Sequence, residues 1–174
     1  MSNRKLYFEF TKARAKGIVT LYDQNAPVTC DKLWTALAKP VRMPAIHAMF
    51  AGPEIMMGLP NEAQSFDPDS IPAENQSCFP EAGECIWFYQ GKNVMKGLPD
   101  ELWEIGVFYD AGARIHGPLG WTPCNLFGRI TEGLDDFAEA CRGTRTQGIE
   151  MVEFGRLKER TTTDEALNNY EKEY

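Results

Sequence analysis

The sequence has few of the residues and patterns that mark several common classes of protein. Its 174 residues include two histidines, and its five cysteines form no Cys-x-x-Cys pair, so no zinc site and no disulfide framework are expected. No apolar run approaches the ~20 residues that cross a bilayer, and the amino terminus lacks the apolar core of a secretion signal. The expected protein is therefore cytoplasmic, keeps its cysteines reduced and has no membrane partner.

Positive charge is also scarce, because 18 Lys and Arg stand against 25 Asp and Glu, a net charge of −7 at pH 7. Lys and Arg at the phosphates carry most of the affinity of proteins for nucleic acid, so no nucleic-acid partner is expected. The glycine-rich residues 110–121 lack the GxxxxGK[ST] order of a phosphate-binding loop. We expect no cofactor.

What the sequence does contain is a pattern dominated by strands. Alternating apolar and polar residues predict strands in the ranges 6–11, 18–22, 83–89, 102–109, 125–130 and 148–154. One helix is predicted to begin at Pro27 and end at Pro40, and a second runs from Leu134 to a C-cap at Gly143. Many antiparallel strands with two helices favour a small closed β-barrel, because closure removes exposed sheet edges. Residues 1–157 are assigned to the barrel domain and residues 158–174 to a polar C-terminal tail.

Residues 41–58 contain the histidine on which the functional prediction depends. A chain reversal at Ala51-Gly52 predicts a hairpin in which His47 faces Met56. Because side chains alternate between the faces of a strand, His47 and Glu54 then share one face, where the carboxylate would raise the pKa of the imidazole. The other face is predicted to be core: Ile46, Ala48, Phe50, Ile55 and Met57. A shift of register by one residue would separate His47 from Glu54.

The polar residues 59–80 form a long loop that supplies further candidates. Long loops inside a compact domain are often lids or binding loops, and a plain connector is the alternative. Glu74 is the candidate for a second catalytic carboxyl group, and Asn75 offers an amide for hydrogen bonding.

Tyr109 and Arg114 are candidates for fixing an anionic group, since the guanidinium binds carboxylates through two parallel hydrogen bonds. Trp87 is a candidate apolar wall, although a tryptophan on a strand more often belongs to the core. An alternative metal site with two histidines and carboxylates would use His47, Glu54, Glu74 and His116. Their spacing is irregular, so no metal is expected.

Five short motifs in order resemble a bacterial family of cyclophilin-like proteins of unknown function: Ala26-Pro-Val-Thr29, His47 with Gly52-Pro-Glu54, Pro72-Ala-Glu-Asn75, Pro80-Glu-Ala-Gly-Glu84 and Asn125-Leu-Phe-Gly-Arg-Ile130. The resemblance covers roughly residues 5–155 and implies a closed eight-stranded barrel capped by two helices. It does not imply proline isomerisation, because the arginine, glutamine, tryptophan and histidine set of cyclophilins cannot be placed, and no matching Gln-rich segment follows Arg42.

The favoured interpretation is a protein that binds or transforms a small carboxylate-bearing metabolite by acid/base chemistry, with His47, Glu54 and Glu74 as its catalytic groups. Whether it is an enzyme is left open. One alternative is a peptide-binding or prolyl-isomerase-like module, and another is a non-catalytic oligomeric scaffold. Methionine suits interfaces, and four methionines crowd one hairpin: Met43, Met49, Met56 and Met57. A homo-oligomer is expected.

Overall fold

The computed structural model describes residues 4–158. Within this range the strands are β1 (Lys5–Phe10), β2 (Lys16–Leu21), β3 (Val41–His47), β4 (Glu54–Gly58), β5 (Gln76–Ser77), β6 (Glu84–Gln90), β7 (Leu102–Phe108), β8 (His116–Gly117), β9 (Gly120–Trp121), β10 (Cys124–Glu132) and β11 (Glu150–Arg156). The α-helices in the same range are α1 (Pro27–Ala36) and α2 (Leu134–Gln147). The tail predicted for residues 158–174 lies, after Lys158, outside the described residues.

Eight strands close into a barrel in the order β2, β1, β11, β3, β4, β7, β6, β10, and β10 pairs back onto β2. Each of these pairings is antiparallel. The short β5 extends the sheet beside β10, and β8 and β9 form a separate two-stranded ribbon. The predicted fold, a closed antiparallel β-barrel with two helices, is confirmed.

The barrel interior is filled by side chains that alternate inward from every strand, as expected for eight strands. Phe8 and Phe154 stack face to face at 4.3 Å between ring centroids, and Phe137 of α2 packs against Phe8 and Phe10 at 6.1 and 5.1 Å. These four rings are fully buried. Because the interior is occupied by the core, a ligand site has to lie on the outside of the barrel.

Both helices cover the barrel with one apolar side. α1 buries Cys30 and Leu33, and α2 buries Phe137 and Cys141. α2 passes the predicted stop at Gly143 and ends before residue 148, a glycine with φ of +92°, because that backbone conformation is available to glycine at little cost. No helix in the described part of the chain is long and apolar enough to cross a membrane.

The register of β3 with β4 differs from the prediction by one residue. Ile46 pairs with Met56 and His47 pairs with Ile55, whereas the prediction placed His47 opposite Met56. The predicted register is therefore wrong, and His47 and Glu54 extend from opposite faces of the sheet. Ile46, predicted as core, is 44% exposed on the outer face.

The shift arises because a six-residue loop, residues 48–53, replaces the predicted two-residue turn. The loop is fastened from outside the hairpin, since the Arg114 amide donates a hydrogen bond to the Ala51 carbonyl at 3.0 Å. Gly52 has a φ of +88° and packs against the same neighbouring segment. Phe50, also predicted as core, lies on this loop and is 57% exposed.

Candidate functional site

An apolar cavity of about 490 Å³ lies on the outer face of the barrel. We call it the outer cavity. Its floor consists of outward side chains of the sheet and its rim of the loops 48–53 and 115–119 together with Met95 and Leu98. The apolar floor residues are Ile46, Met56, Ile86, Phe88 and Leu102, and Ala48 joins them from the rim. A concave, mostly apolar surface with a few polar groups is typical of small-molecule sites.

Two carboxyl groups interrupt this apolar lining. Glu54 is 4% exposed and Glu104 is half-buried, and both contribute to the outer cavity. Within residues 4–158 neither carboxyl group accepts a hydrogen bond or forms an ion pair. Both are therefore polar groups without a protein partner, within residues 4–158, in a largely apolar lining.

Burial changes the acidity of both groups. Loss of water raises the pKa of Glu54 well above its ordinary value, and the nearby charge of Glu104 raises it further. Burial raises the pKa of Glu104 to about 7. A carboxylic acid that titrates near neutral pH is suited to general acid/base chemistry.

Strand register explains why these carboxyl groups share one face. β4 pairs with β7 through Glu54 opposite Phe108 and Gly58 opposite Glu104. Since residues directly opposite each other extend to the same side, both glutamates face outward. The intervening Ile105 of β7 points inward and is fully buried in the barrel core.

His47 lies at the edge of the outer cavity and does not pair with Glu54. Its Nδ1 is 2.8 Å from the Ala48 carbonyl oxygen, and its Nε2 is 2.7 Å from the Tyr109 hydroxyl. A carbonyl oxygen only accepts, so Nδ1 carries a proton and donates it to Ala48, and Nε2 is hydrogen-bonded to the Tyr109 hydroxyl. Both ring nitrogens are therefore hydrogen-bonded to groups at the edge of the outer cavity. The catalytic role of His47 stays a prediction.

Glu74, the predicted second catalytic carboxyl, serves a different part of the molecule. Its Oε1 accepts hydrogen bonds from the Thr29 amide at 2.6 Å and from the Thr29 hydroxyl at 2.7 Å. These groups belong to the first turn of α1, whose N-cap residue Ala26 has no side-chain hydrogen bond. The Asn125 side chain joins the same network through Thr29 at 3.0 Å and the Glu74 amide at 3.2 Å. We call this network of Glu74, Thr29 and Asn125 the polar joint.

The four residues predicted to bind a ligand lie outside the lining of the outer cavity. Asn75 donates to the Leu126 carbonyl at 2.8 Å, and Trp87 packs in the core. Tyr109 is buried behind His47, and Arg114 is exposed on a neighbouring loop. The predicted anion site of Tyr109 with Arg114 is therefore not formed in the outer cavity.

The alternative metal site is not assembled either. Among residues 4–158 no group of three or more His, Cys, Asp or Glu side chains is placed to hold a metal ion. His116 lies on the cavity rim, where its ring meets Trp121 edge to face at 5.0 Å, while Glu74 is engaged in the polar joint.

Glu104 is the site residue that the sequence analysis missed. A signal was present, because Glu104 is the sole charged residue in the apolar strand Leu102–Phe108. A lone carboxylate inside such a strand indicates either an exposed face or a functional group. The glycine two positions later, Gly106, is a second signal, since glycine in a strand interior often marks a close approach of other atoms.

Solved structures of low sequence identity share the barrel. McbB, solved in complex with tryptophan, matches with a TM-score of 0.65 and 17% identity over 90% of this chain, which spans 46% of the McbB chain. A hypothetical protein from Archaeoglobus fulgidus matches with a TM-score of 0.53 and 19% identity, and the match covers 90% of this chain and 96% of that one. A cyclophilin-type peptidyl-prolyl isomerase from Cryptosporidium parvum matches with a TM-score of 0.51 and 11% identity, and the match covers 90% of this chain and 99% of that one. At these identities the likeness shows the cyclophilin-like fold alone.

No curated protein matches the chain significantly in sequence. The family comparison is more specific, because residues 9–156 match the sequence profile of a single family over most of the barrel. The chain belongs to that family, which is described as a protein of unknown function, DUF3830.

Proposed function

We propose that the chain binds a small, largely apolar molecule in the outer cavity, where Glu54 and Glu104 serve as acid/base groups. The observation that carries this proposal is the burial of a carboxyl group without a partner. Glu54 is 4% exposed yet lacks a hydrogen bond within the described residues. A fold that needed only stability would gain by replacing such a group with an apolar one. Unpartnered, shifted carboxyl groups in a cleft are typical of functional sites.

The composition of the lining refines the expected ligand. The ligand predicted from the sequence is a carboxylate-bearing metabolite, but no Lys or Arg of residues 4–158 lines the outer cavity. An anionic ligand would meet two carboxyl groups without a compensating cation. A neutral or cationic molecule with an apolar body fits the lining better. McbB, a structural neighbour, was solved in complex with tryptophan, which supports a small-molecule ligand for a barrel of this shape.

The prolyl-isomerase-like alternative receives no support beyond the fold. Arg42 is exposed and forms an ion pair with Glu153 at 3.7 Å, away from the outer cavity. The scaffold alternative rested on four methionines, of which Met43 and Met57 are buried in the core and Met49 is 85% exposed. A homo-oligomer stays a prediction.

The proposal is tested by thermal-shift screening of small amines, alcohols, ketones and acids with apolar bodies. Wild type is compared with Ala48→Trp, which fills the outer cavity, and with Ala73→Trp, an equal substitution on an exposed loop outside it. A ligand at ~100 times its Kd adds about 2.7 kcal/mol of stability. We expect a ligand that stabilises wild type and Ala73→Trp but not Ala48→Trp. Equal shifts in all three proteins, or none in any, would overturn the proposal.

A further inference from the structure

We infer that Glu54 and Glu104 form one paired carboxyl site that binds the amine group of a ligand whose apolar body fills the outer cavity. The inference rests on the proposed function, because it names the ligand class of the same cavity. Three features support it: the space above Gly106, the lack of an ion pair to either carboxyl group within residues 4–158, and the donor requirements of two carboxyl groups.

Gly106 allows the two carboxyl groups to approach each other. On β7 it lies between Glu104 and Phe108 on the outer face, and Phe108 is the residue opposite Glu54. A Cβ at position 106 would lie 2.5 Å from Glu54 Oε1, so the Glu54 side chain crosses the space that a larger residue would fill. Glu104 is the next outward residue along the strand, about 7 Å away between Cα atoms. The Glu54 carboxyl group is therefore directed towards Glu104.

None of the ionisable groups around this pair in residues 4–158 forms an ion pair or hydrogen bond with it. They come from the other strands, the rim and the adjoining cavity: His47, Lys92, Asp100, Glu101, His116 and Cys124. His47 is hydrogen-bonded at both ring nitrogens, and burial raises the pKa of the Cys124 thiol, which keeps it neutral. Lys92 shares the adjoining cavity with two carboxylates and forms no ion pair with Glu104 in the described structure.

An ammonium group supplies the hydrogen-bond donors and the positive charge that the two carboxyl groups lack. A carboxylate only accepts hydrogen bonds, and an ammonium group offers three donors and one positive charge in a compact volume. One ammonium can therefore donate to both carboxyl groups and balance the charge that they carry in a weakly polar environment. The rest of such a ligand would contact Met56, Ile86 and Phe88 on the floor. The inferred ligand class is thus a primary amine with an apolar or aromatic body.

Binding of three matched probes by calorimetry at pH 7.5 tests the ligand class: 2-phenylethylamine, 2-phenylethanol and 3-phenylpropionate. We expect the amine to bind wild type at least about tenfold more tightly than the alcohol, a difference of about 1.4 kcal/mol. Glu54→Gln and Glu104→Gln should each remove that preference and leave the alcohol unchanged, whereas Glu139→Gln on the exposed face of α2 should behave as wild type.

The outcomes separate this inference from the proposed function. Binding of the alcohol with no preference for the amine, or with preference for the acid, overturns the amine inference and leaves the outer cavity as a ligand site. An amine preference that survives both glutamine variants also overturns it. Binding of none of the three probes overturns the inference, and the proposed function then depends on the wider thermal-shift screen alone.

The pairing itself can be measured without a ligand, by carboxyl-carbon NMR titration of Glu54 and Glu104. Because the charge of Glu104 raises the pKa of Glu54, Glu104→Gln should lower the titration midpoint of Glu54 by about 1 unit, as expected for strongly interacting groups. Gly106→Ala should also change the Glu54 midpoint, by displacing the Glu54 carboxyl group. Gly58→Ala is the matched control, because it adds a Cβ to the same outer face where nothing lies within 4 Å. A Glu54 midpoint that neither Glu104→Gln nor Gly106→Ala changes would show that the carboxyl groups are not paired.

Discussion

The polar joint and the outer cavity both contain shielded glutamates, and they use them in opposite ways. In the polar joint, Glu74 accepts three hydrogen bonds from the first turn of α1, two of them from Thr29 at 2.6 and 2.7 Å. In the outer cavity, Glu54 is more deeply buried and has no partner within residues 4–158. Both residues belong to the catalytic set predicted from the sequence, Glu54 as the partner of His47 and Glu74 as a second carboxyl group.

The difference shows that hydrogen-bond partners, more than residue type, separate a carboxylate used by the fold from one without a protein partner in the described residues. The carboxylate of Glu74 compensates the unpaired amides at a helix N-terminus, where negative charge is favourable. Its acceptor capacity is used within the fold. The carboxyl group of Glu54 has no protein partner within residues 4–158, and the burial that raises its pKa favours its neutral form.

Removal of the Glu74 side chain should cause the largest loss of stability. Glu74→Ala leaves the fully buried Thr29 without its acceptor, so we expect the free energy of unfolding to fall by about 3 to 4 kcal/mol. Urea denaturation measures this change. Glu74→Gln, which keeps one oxygen acceptor, should lose less than half as much. A loss of less than about 1 kcal/mol for Glu74→Ala would show that the hydrogen bonds of Glu74 do not stabilise the fold, which contradicts the contrast between Glu74 and Glu54.

Ionisation of Glu104 in the outer cavity should destabilise the protein, whereas the carboxylate of Glu74 stabilises the polar joint. The pKa of Glu104 is about 7 in the folded protein and 4.5 in the reference state, so its contribution is complete below pH 4.5 and is lost as the pH rises through 7. Relative to Glu104→Gln, we expect wild type to lose about 2 to 3 kcal/mol between pH 5 and pH 8. Urea denaturation at several pH values measures this loss. Parallel curves for wild type and Glu104→Gln would contradict the prediction.

The smallest effect should follow from changing the group that holds His47. Tyr109→Phe removes one hydrogen bond to the imidazole, which should cost about 1 kcal/mol. Because Tyr109 lies outside the outer cavity, the titration midpoint of Glu104 should stay as in wild type. Thermal unfolding and carboxyl NMR measure the two quantities. A shifted Glu104 midpoint would show that His47 and Tyr109 are coupled to the carboxyl pair.

Much of the fold could be predicted because it depends on local patterns. Strand alternation and the two helix starts were sufficient for a closed barrel with two helices. The outer cavity could not be located, because its floor combines residues from β3, β4, β6 and β7, which are far apart along the chain. The pairing of His47 with Glu54 failed because loop 48–53, held by Arg114, changed the register.

The sequence by itself determined that these residues form a compact, acidic, mainly β domain, since composition and the period of apolar residues are local properties. It also placed a carboxyl group at position 54 and glycine at position 106. Only the tertiary structure decided which carboxyl groups are satisfied. The packing of α1 beside the loop that precedes β5 brought Thr29 to Glu74, and strand pairing left Glu54 beside Glu104. Hydrogen-bond partners are set by spatial neighbours, which the order of residues does not contain.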